Sequence, residues 1–266
     1  MAVRVGDEVL NRLHGGLVVS CQADPGHPLA APDRIAALAR CAEAGGAVAV
    51  RIEGTANVRA VAAATSLPII GIAKVRQGTG RPFITPTYEH CEALVAAGAH
   101  LVAVEATPDY RPDPQDFAMI CERVHTELGV PVMADVSTTA EGVLAWEAGA
   151  DLVGTTLSGY TTTSRPRTTP DIEMVRELSA RGIRAVLEGF VSHPDEVAEA
   201  FAAGAWAVVV GKAITAPEFL TERFAAVAPA TSGRDVATLA DAGFSSTDRG
   251  LASPDGFPGR GLAPAD

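Results

Sequence analysis

Four charged residues stand where charge is unexpected. Arg51, Lys74, Asp135 and Glu188 each close a short aliphatic run: "AVAVR" (Ala47 to Arg51), "PIIGIAK" (Pro68 to Lys74), "PVMAD" (Pro131 to Asp135) and "RAVLE" (Arg184 to Glu188). Charges at the ends of apolar runs are costly unless they pair with one another or with a ligand. A lysine in such a place can lose its proton for part of the time, because desolvation disfavours the ammonium form. A neutral amine near a carboxylate can take and return protons, which is general acid–base chemistry. It can also form an imine with a carbonyl substrate, so a Schiff-base aldolase or lyase is a second reading, and a non-catalytic binding protein a third.

Other polar positions share this placement. Ser20 and Gln22 end "GLVVSCQ", and Glu53 and Glu105 end two more runs. Gly189 follows Glu188, and Gly211 with Lys212 follows "AWAVVV". Glycines there suit phosphate binding through backbone amides and the start of a short helix. "GTTLSGYTTTSRP" (Gly154 to Pro166) is too polar for core and too long for a tight turn. It reads as a mobile loop over a site, with Thr156, Ser158 and Tyr160 as its candidate substrate-binding residues.

The elements that must carry these residues follow from a weak internal repeat. "EAGGAVAVRIEG", "AAGAHLVAVEAT", "EAGADLVGTT" and "AAGAWAVVVGK" each end a helical pattern in a glycine and run into aliphatics. Glycine closes a helix in the left-handed conformation, and the short run after it suits a strand covered on both faces. Eight strands are expected, near 16–22, 47–52, 68–74, 100–105, 131–135, 151–155, 184–188 and 205–211. Helix-compatible segments separate them, such as "PDRIAALARCAEA" from Pro32. Eight near-equal βα units predict an α/β chain folded as a single (β/α)8 TIM barrel over residues 1–229. A doubly wound open sheet is the alternative. Residues 230–266, rich in Gly, Pro and Ser, read as a disordered extension, with a short helix at 234–242 as a further option.

Composition narrows the function. Of 266 residues 47% are hydrophobic and 20% charged, with no apolar run long enough for a membrane span. The start, "MAVRVGDEVLNRLHGG", has no signal-peptide core, so a cytoplasmic protein is expected. A net charge of −11 argues against nucleic-acid and membrane surfaces. Cys21, Cys41, Cys91 and Cys121 form no CxxC pair, and the six histidines show no ligand spacing, so no metal is expected.

In order along the chain, "GGLVVSCQA", "GGAVAVRIEG", "PIIGIAK", "FITPT", "MADVST", "VGTTLSGYT", "EG" and "AWAVVVGKAIT" resemble the N-acylglucosamine-6-phosphate 2-epimerases. The resemblance spans about residues 12 to 228. It implies a barrel enzyme without cofactor that interconverts N-acetylmannosamine 6-phosphate and N-acetylglucosamine 6-phosphate in sialic-acid breakdown. It further implies that Lys74 and Glu188 are catalytic, that Gln22, Arg51 and Asp135 bind the sugar, and that Gly189 and Gly211 hold the phosphate. The sequence departs from the family's usual run at Phe190 and Ala216, where relatives carry cations, and at Lys212 and Glu105. A small-molecule sugar phosphate is the expected partner, and a homodimer the expected assembly.

Overall fold

Every aliphatic run becomes a strand, because only a parallel strand buried on both faces satisfies both its side chains and its backbone. The computed structural model describes residues 5–76, 81–108 and 116–228. The strands are β1 (Gly16–Cys21), β2 (Ala49–Glu53), β3 (Ile69–Ile72), β4 (Lys74–Val75), β5 (Phe83–Ile84), β6 (Leu101–Glu105), β7 (Val132–Asp135), β8 (Leu152–Gly154), β9 (Ala185–Glu188) and β10 (Ala207–Val210). Eight of them close a barrel in the order β1-β10-β9-β8-β7-β6-β3-β2, with every pair parallel. The expected (β/α)8 barrel is therefore observed, and the open sheet is not. The expected extension and its short helix lie outside the described residues.

The helices are α1 (Val5–Leu13), α2 (Pro32–Ala44), α3 (Thr55–Ala62), α4 (Tyr88–Ala96), α5 (Phe117–Arg123), α6 (Thr139–Glu147), α7 (Ile172–Ser179), α8 (Pro194–Ala202), α9 (Lys212–Thr215) and α10 (Pro217–Ala225). A π-helical turn, Val124–Leu128, continues α5. No helix among the described residues is long and apolar enough to cross a membrane. The repeat's glycines turn the chain from helix to strand, as at Gly98 and Gly149, with φ of +112° and +104°.

Strand alternation sorts the core into two parts. Outward residues such as Val50, Ile52, Val102, Val104, Val153 and Val208 pack under the helices. Inward residues such as Val18, Ala49, Ile70, Ile72, Met133 and Val209 fill the lumen together with Leu10 and Leu13 of α1. Helix α1 thus plugs the N-terminal mouth, and the Trp206 indole Nε1–H donates to Leu10 O at 3.1 Å. Two residues beyond the inward layer, on the same face, stand Ser20, Arg51, Lys74, Glu105, Asp135, Gly154, Glu188 and Gly211. The other mouth is therefore polar by register alone.

One element differs from the sequence expectation. The run ending at Lys74 does not stay in the barrel; β3 ends at Ile72, and Lys74 opens an antiparallel hairpin in which Lys74 pairs with Ile84 and Val75 with Phe83. Carbonyls and amides past Ile72 have no barrel neighbour in register, so they pair within the hairpin.

Close packing between β3 and α4 is testable. A Cβ on Gly71 would lie 2.8 Å from Ala99 Cβ and 3.2 Å from Leu94 Cβ, both stiffly held. Overpacking of this kind costs about 1–3 kcal/mol. Gly71→Ala is expected to lower the thermal midpoint by about 3–10 °C while leaving the circular dichroism spectrum unchanged. An unaltered midpoint would contradict the close packing.

Candidate active site

The largest buried charged side chain in the polar mouth is Arg51, only 1% exposed. Its Nη1 donates to Asp135 Oδ1 at 3.1 Å and its Nη2 to Asp135 Oδ2 at 2.5 Å. Nη1 also lies 3.1 Å from Glu188 Oε2 and 3.9 Å from Met133 Sδ. Burial alone would favour losing the proton, but Asp135 and then Glu188 outweigh it and hold the guanidinium charged. Room for this pair comes from Gly154, across from Asp135 in β8. A Cβ there would sit 2.3 Å from Met133 Cε and 3.3 Å from Asp135 Oδ1.

Glu188 is the second acid, with 14% of its side chain exposed. Burial pushes its carboxyl up; Arg51 pulls it down, Asp135 pushes it up, and the Thr156 hydroxyl and Lys74 pull it down. The outcome is a carboxyl raised to about 7. Its backbone is fixed by Thr155, whose hydroxyl donates to Glu188 O at 2.8 Å and accepts from Glu188 N at 3.0 Å. Thr156 Oγ1 donates to Asp135 Oδ1 at 2.8 Å and lies 3.3 Å from Glu188 Oε2.

Lys74 is partly buried, and among the described residues its ammonium makes no ion pair. Desolvation lowers its proton affinity, Asp24 and Glu53 raise it, Arg51 lowers it and Glu188 raises it; the net direction is down. Asp135 is committed to Arg51 and Thr156, so its carboxylate does not pair with the amine. Gln22 Nε2 donates to Ser20 Oγ at 2.7 Å. Its buried Oε1, like Arg51 Nε, has no hydrogen-bond partner among the described residues. Buried polar atoms left unpaired are rare in folded chains and mark a place where a ligand can bond.

These features fit a known family. A family model described as "Putative N-acetylmannosamine-6-phosphate epimerase" matches residues 35–229. The chain belongs to this family. It is 46% identical over 222 residues to a protein of Cutibacterium acnes named "Putative N-acetylmannosamine-6-phosphate 2-epimerase", covering 82% of this chain and 96% of the relative. It is 41% identical over 219 residues to one of the same name from Caldanaerobacter subterraneus subsp. tengcongensis, covering 82% and 92%. The solved N-acetylmannosamine-6-phosphate 2-epimerase of Clostridium perfringens superposes with a TM-score of 0.78 at 35% identity, covering 82% of this chain and 96% of that one. Thiamine phosphate pyrophosphorylase of Pyrococcus furiosus, at 17% identity and a TM-score of 0.54, shares the barrel fold alone.

Within this epimerase-family barrel, the expected site residues separate into groups. Arg51, Asp135, Thr156 and Glu188 form one hydrogen-bonded cluster, and Lys74 lies within its electrostatic reach. Tyr160 stacks on Phe190, with ring centroids 4.8 Å apart and planes 10° apart. Burial, then the charge of Glu188, pushes the Tyr160 phenol up to about 12. Ser158 is turned away from the cluster and donates to Asp171 Oδ2 at 2.6 Å. Gly189 has φ +106° and passes near Thr156 O, while Gly211 sits beside Ser20. Lys212 is exposed on the first turn of α9. The loop expected to be mobile makes hydrogen bonds, among them Thr161 Oγ1 to Ser137 Oγ and Gly159 N to Ser164 Oγ.

Sequence reasoning missed the groups that hold the site. Thr85 and Thr155 pin the backbone beside Lys74 and at Glu188. Arg81 binds Glu105 through two hydrogen bonds. Asp24 acts on Lys74 from the loop after β1. At Thr85 the following proline pointed the other way, since a residue before proline is expected to be extended and Thr85 has φ +47°.

The raised carboxyl of Glu188 has a thermodynamic signature. A carboxyl whose folded-state pKa exceeds its unfolded value stabilises the fold fully below the unfolded value, and this contribution is lost as pH rises through the folded value. For Glu188 that window runs from 4.5 to about 7. Wild-type stability relative to Glu188→Gln is therefore expected to fall between pH 4.5 and 7 and to level off above 8. Thermal melts of the two proteins over that range check this; a constant difference would show that Glu188 is not raised.

Proposed function

We propose that this chain interconverts N-acetylmannosamine 6-phosphate and N-acetylglucosamine 6-phosphate by moving the proton at C2. Family membership supports the reaction, and one observation carries the chemistry. Lys74, a desolvated amine without an ion-pair partner among the described residues, lies within electrostatic reach of Glu188, a carboxyl raised to about 7. At neutral pH both groups are drawn toward their uncharged forms, so one can accept a proton while the other gives one.

In the open-chain sugar the C2 proton lies beside the C1 aldehyde. Neutral Lys74 takes that proton, and the C2–H electron pair moves to form C1=C2 with charge on O1. Protonated Glu188 returns a proton to C2 from the opposite face, and the electrons on O1 re-form the aldehyde. Lys74 is left as ammonium and Glu188 as carboxylate, and proton exchange between them through substrate or solvent resets the pair. Enolate formation needs electrostatic stabilisation of O1, which a buried cation supplies best. Arg51 Nε and Gln22 Oε1, both buried without partners among the described residues, support roles in binding sugar oxygens or the acetamide. Thr156 and Tyr160 line the same wall, and Gly189, Gly211 and Lys212 take the 6-phosphate.

We place the reaction in the cytoplasm, where a sugar phosphate made inside the cell is retained by its charge. The residues 1–229 act as one catalytic domain. A homodimer is supported by α10, which exposes Leu220 and Phe224, the latter at 74%, and by Val227 in the turn after it, exposed at 81%. Light scattering is expected to return about twice the chain mass; a monomer at micromolar concentration would end that part of the reading.

The decisive assay is proton NMR of N-acetylmannosamine 6-phosphate with the protein in heavy water. Conversion with deuterium entering C2 is expected, and Lys74→Met is expected to lose at least about 10³-fold in kcat. Epimerisation without C2 exchange, or near-normal turnover in that variant, would refute the proposal. Borohydride is expected to trap no adduct; trapping on Lys74 would establish imine chemistry instead.

A further inference from the structure

Lys74 rides on a hairpin that leaves the barrel, so something must fix its reach. The contact next to it is Thr85. Its amide donates to Ala73 O at 2.7 Å, and its hydroxyl accepts from Ala73 N at 3.0 Å. Both polar groups of the residue preceding Lys74 are thus taken by one side chain and its amide. Thr85 is fully buried and has φ +47°. A β-branched residue in the left-handed region is an outlier, and such strain persists only where the surroundings enforce it.

The enforcement comes from Glu105. This carboxylate is fully buried at the end of β6. It accepts from Ile84 N at 3.0 Å, and Ile84 is the residue paired with Lys74 across the hairpin. Arg81 donates to both of its oxygens, at 3.0 and 2.6 Å, and Thr107 Oγ1 donates at 2.6 Å. In register Glu105 lies beside Asp135, yet it serves the hairpin, while Asp135 serves Arg51.

We propose that Thr85, backed by Glu105 and Arg81, is a positioning residue for Lys74: it fixes residue 73 and so sets where the amine enters the barrel mouth. The proposal rests on the reading in which Lys74 moves the C2 proton. A general base displaced by about 1 Å can cost on the order of 10²-fold in rate, with little change in ground-state binding. A hairpin serving stability alone would not produce that split.

The test compares wild type with Thr85→Ala, Thr85→Ser, Arg81→Gln and Lys74→Met on N-acetylmannosamine 6-phosphate. Thr85→Ala is expected to lower kcat about 10- to 100-fold with KM within about twofold, and Thr85→Ser, which keeps the hydroxyl, to recover most of the loss. The pH limb set by Lys74 is expected to move to higher pH in Thr85→Ala, because a loosened amine is better solvated. The groups facing that amine, Asp24 from the loop after β1, Arg51 and Glu53 from β2 and Glu188 from β9, are unaltered in the variant. Wild-type kcat in Thr85→Ala, a change confined to KM, or equal loss in Ala and Ser variants would each overturn the proposal. If Thr85→Ala does not fold, Arg81→Gln at the more exposed end of the clamp decides: about tenfold lower kcat at unchanged KM supports it, and unchanged kcat overturns it. An inactive Lys74→Met beside a fully active Thr85→Ala removes only the positioning role. A normally active Lys74→Met removes the underlying reading.

Discussion

A guanidinium buried inside a barrel governs the rest of this molecule. Arg51 cannot reach solvent, so its charge must be balanced where it stands. Asp135 balances it with a two-point contact, and Glu188 shares what remains. That triad spans β2, β7 and β9, strands that are not neighbours in the barrel. It can form only if the barrel is closed and in register, with Gly154 leaving the space that a side chain would fill. Site and fold therefore specify each other: closure creates the pair, and the pair penalises any shifted register.

The same triad sets the protonation of its neighbours. Asp135 uses most of the charge on Arg51, so Glu188 receives only part of it, and burial then raises its carboxyl. Arg51 meanwhile repels the proton on Lys74, and desolvation acts in the same direction. A protonated Glu188 no longer attracts the ammonium, which favours the neutral amine further. The coupling makes the two groups lean toward neutrality together, which is the condition for exchanging a proton with carbon at neutral pH.

Much of this was legible in the chain because parallel strands leave a plain trace. Runs such as "GAVAV" and "PVMA" are apolar at every position, and the charge that follows each, Arg51 or Asp135, marks the rim. Strand limits slipped by one or two residues, as at β10, expected at 205–211 and observed at Ala207–Val210. What stayed hidden depends on contacts distant in sequence. The hairpin of β4 and β5 has two residues a side, too short for any periodicity to register. Arg51 was legible as a rim charge, but its commitment to Asp135, 84 residues away, was not. The stack of Phe190 on Tyr160 likewise joins two loops whose separate sequences say only that they are loops.

That stack bears on how an acidic protein admits an anionic substrate. The chain carries a net −11, and its mouth holds Glu105, Asp135 and Glu188. Left ionised and unpaired, these would repel a phosphate ester. Arg81 answers Glu105, Arg51 answers Asp135, and burial raises the Glu188 carboxyl to about 7, which lessens its charge near neutrality. Phe190, at φ +59°, holds an aromatic ring rather than a charge at the loop after β9. A left-handed backbone is unfavourable for such a residue, and the stack on Tyr160 is the contact that compensates. The wall beside Glu188 is thus neutral and apolar, which both sustains the raised carboxyl and removes local repulsion. On the proposed reading, phosphate binding then falls to backbone amides and Lys212. On that reading, the pairing that prepares the acid and base for proton transfer also cancels the charge of Asp135 and Glu105 where the substrate enters.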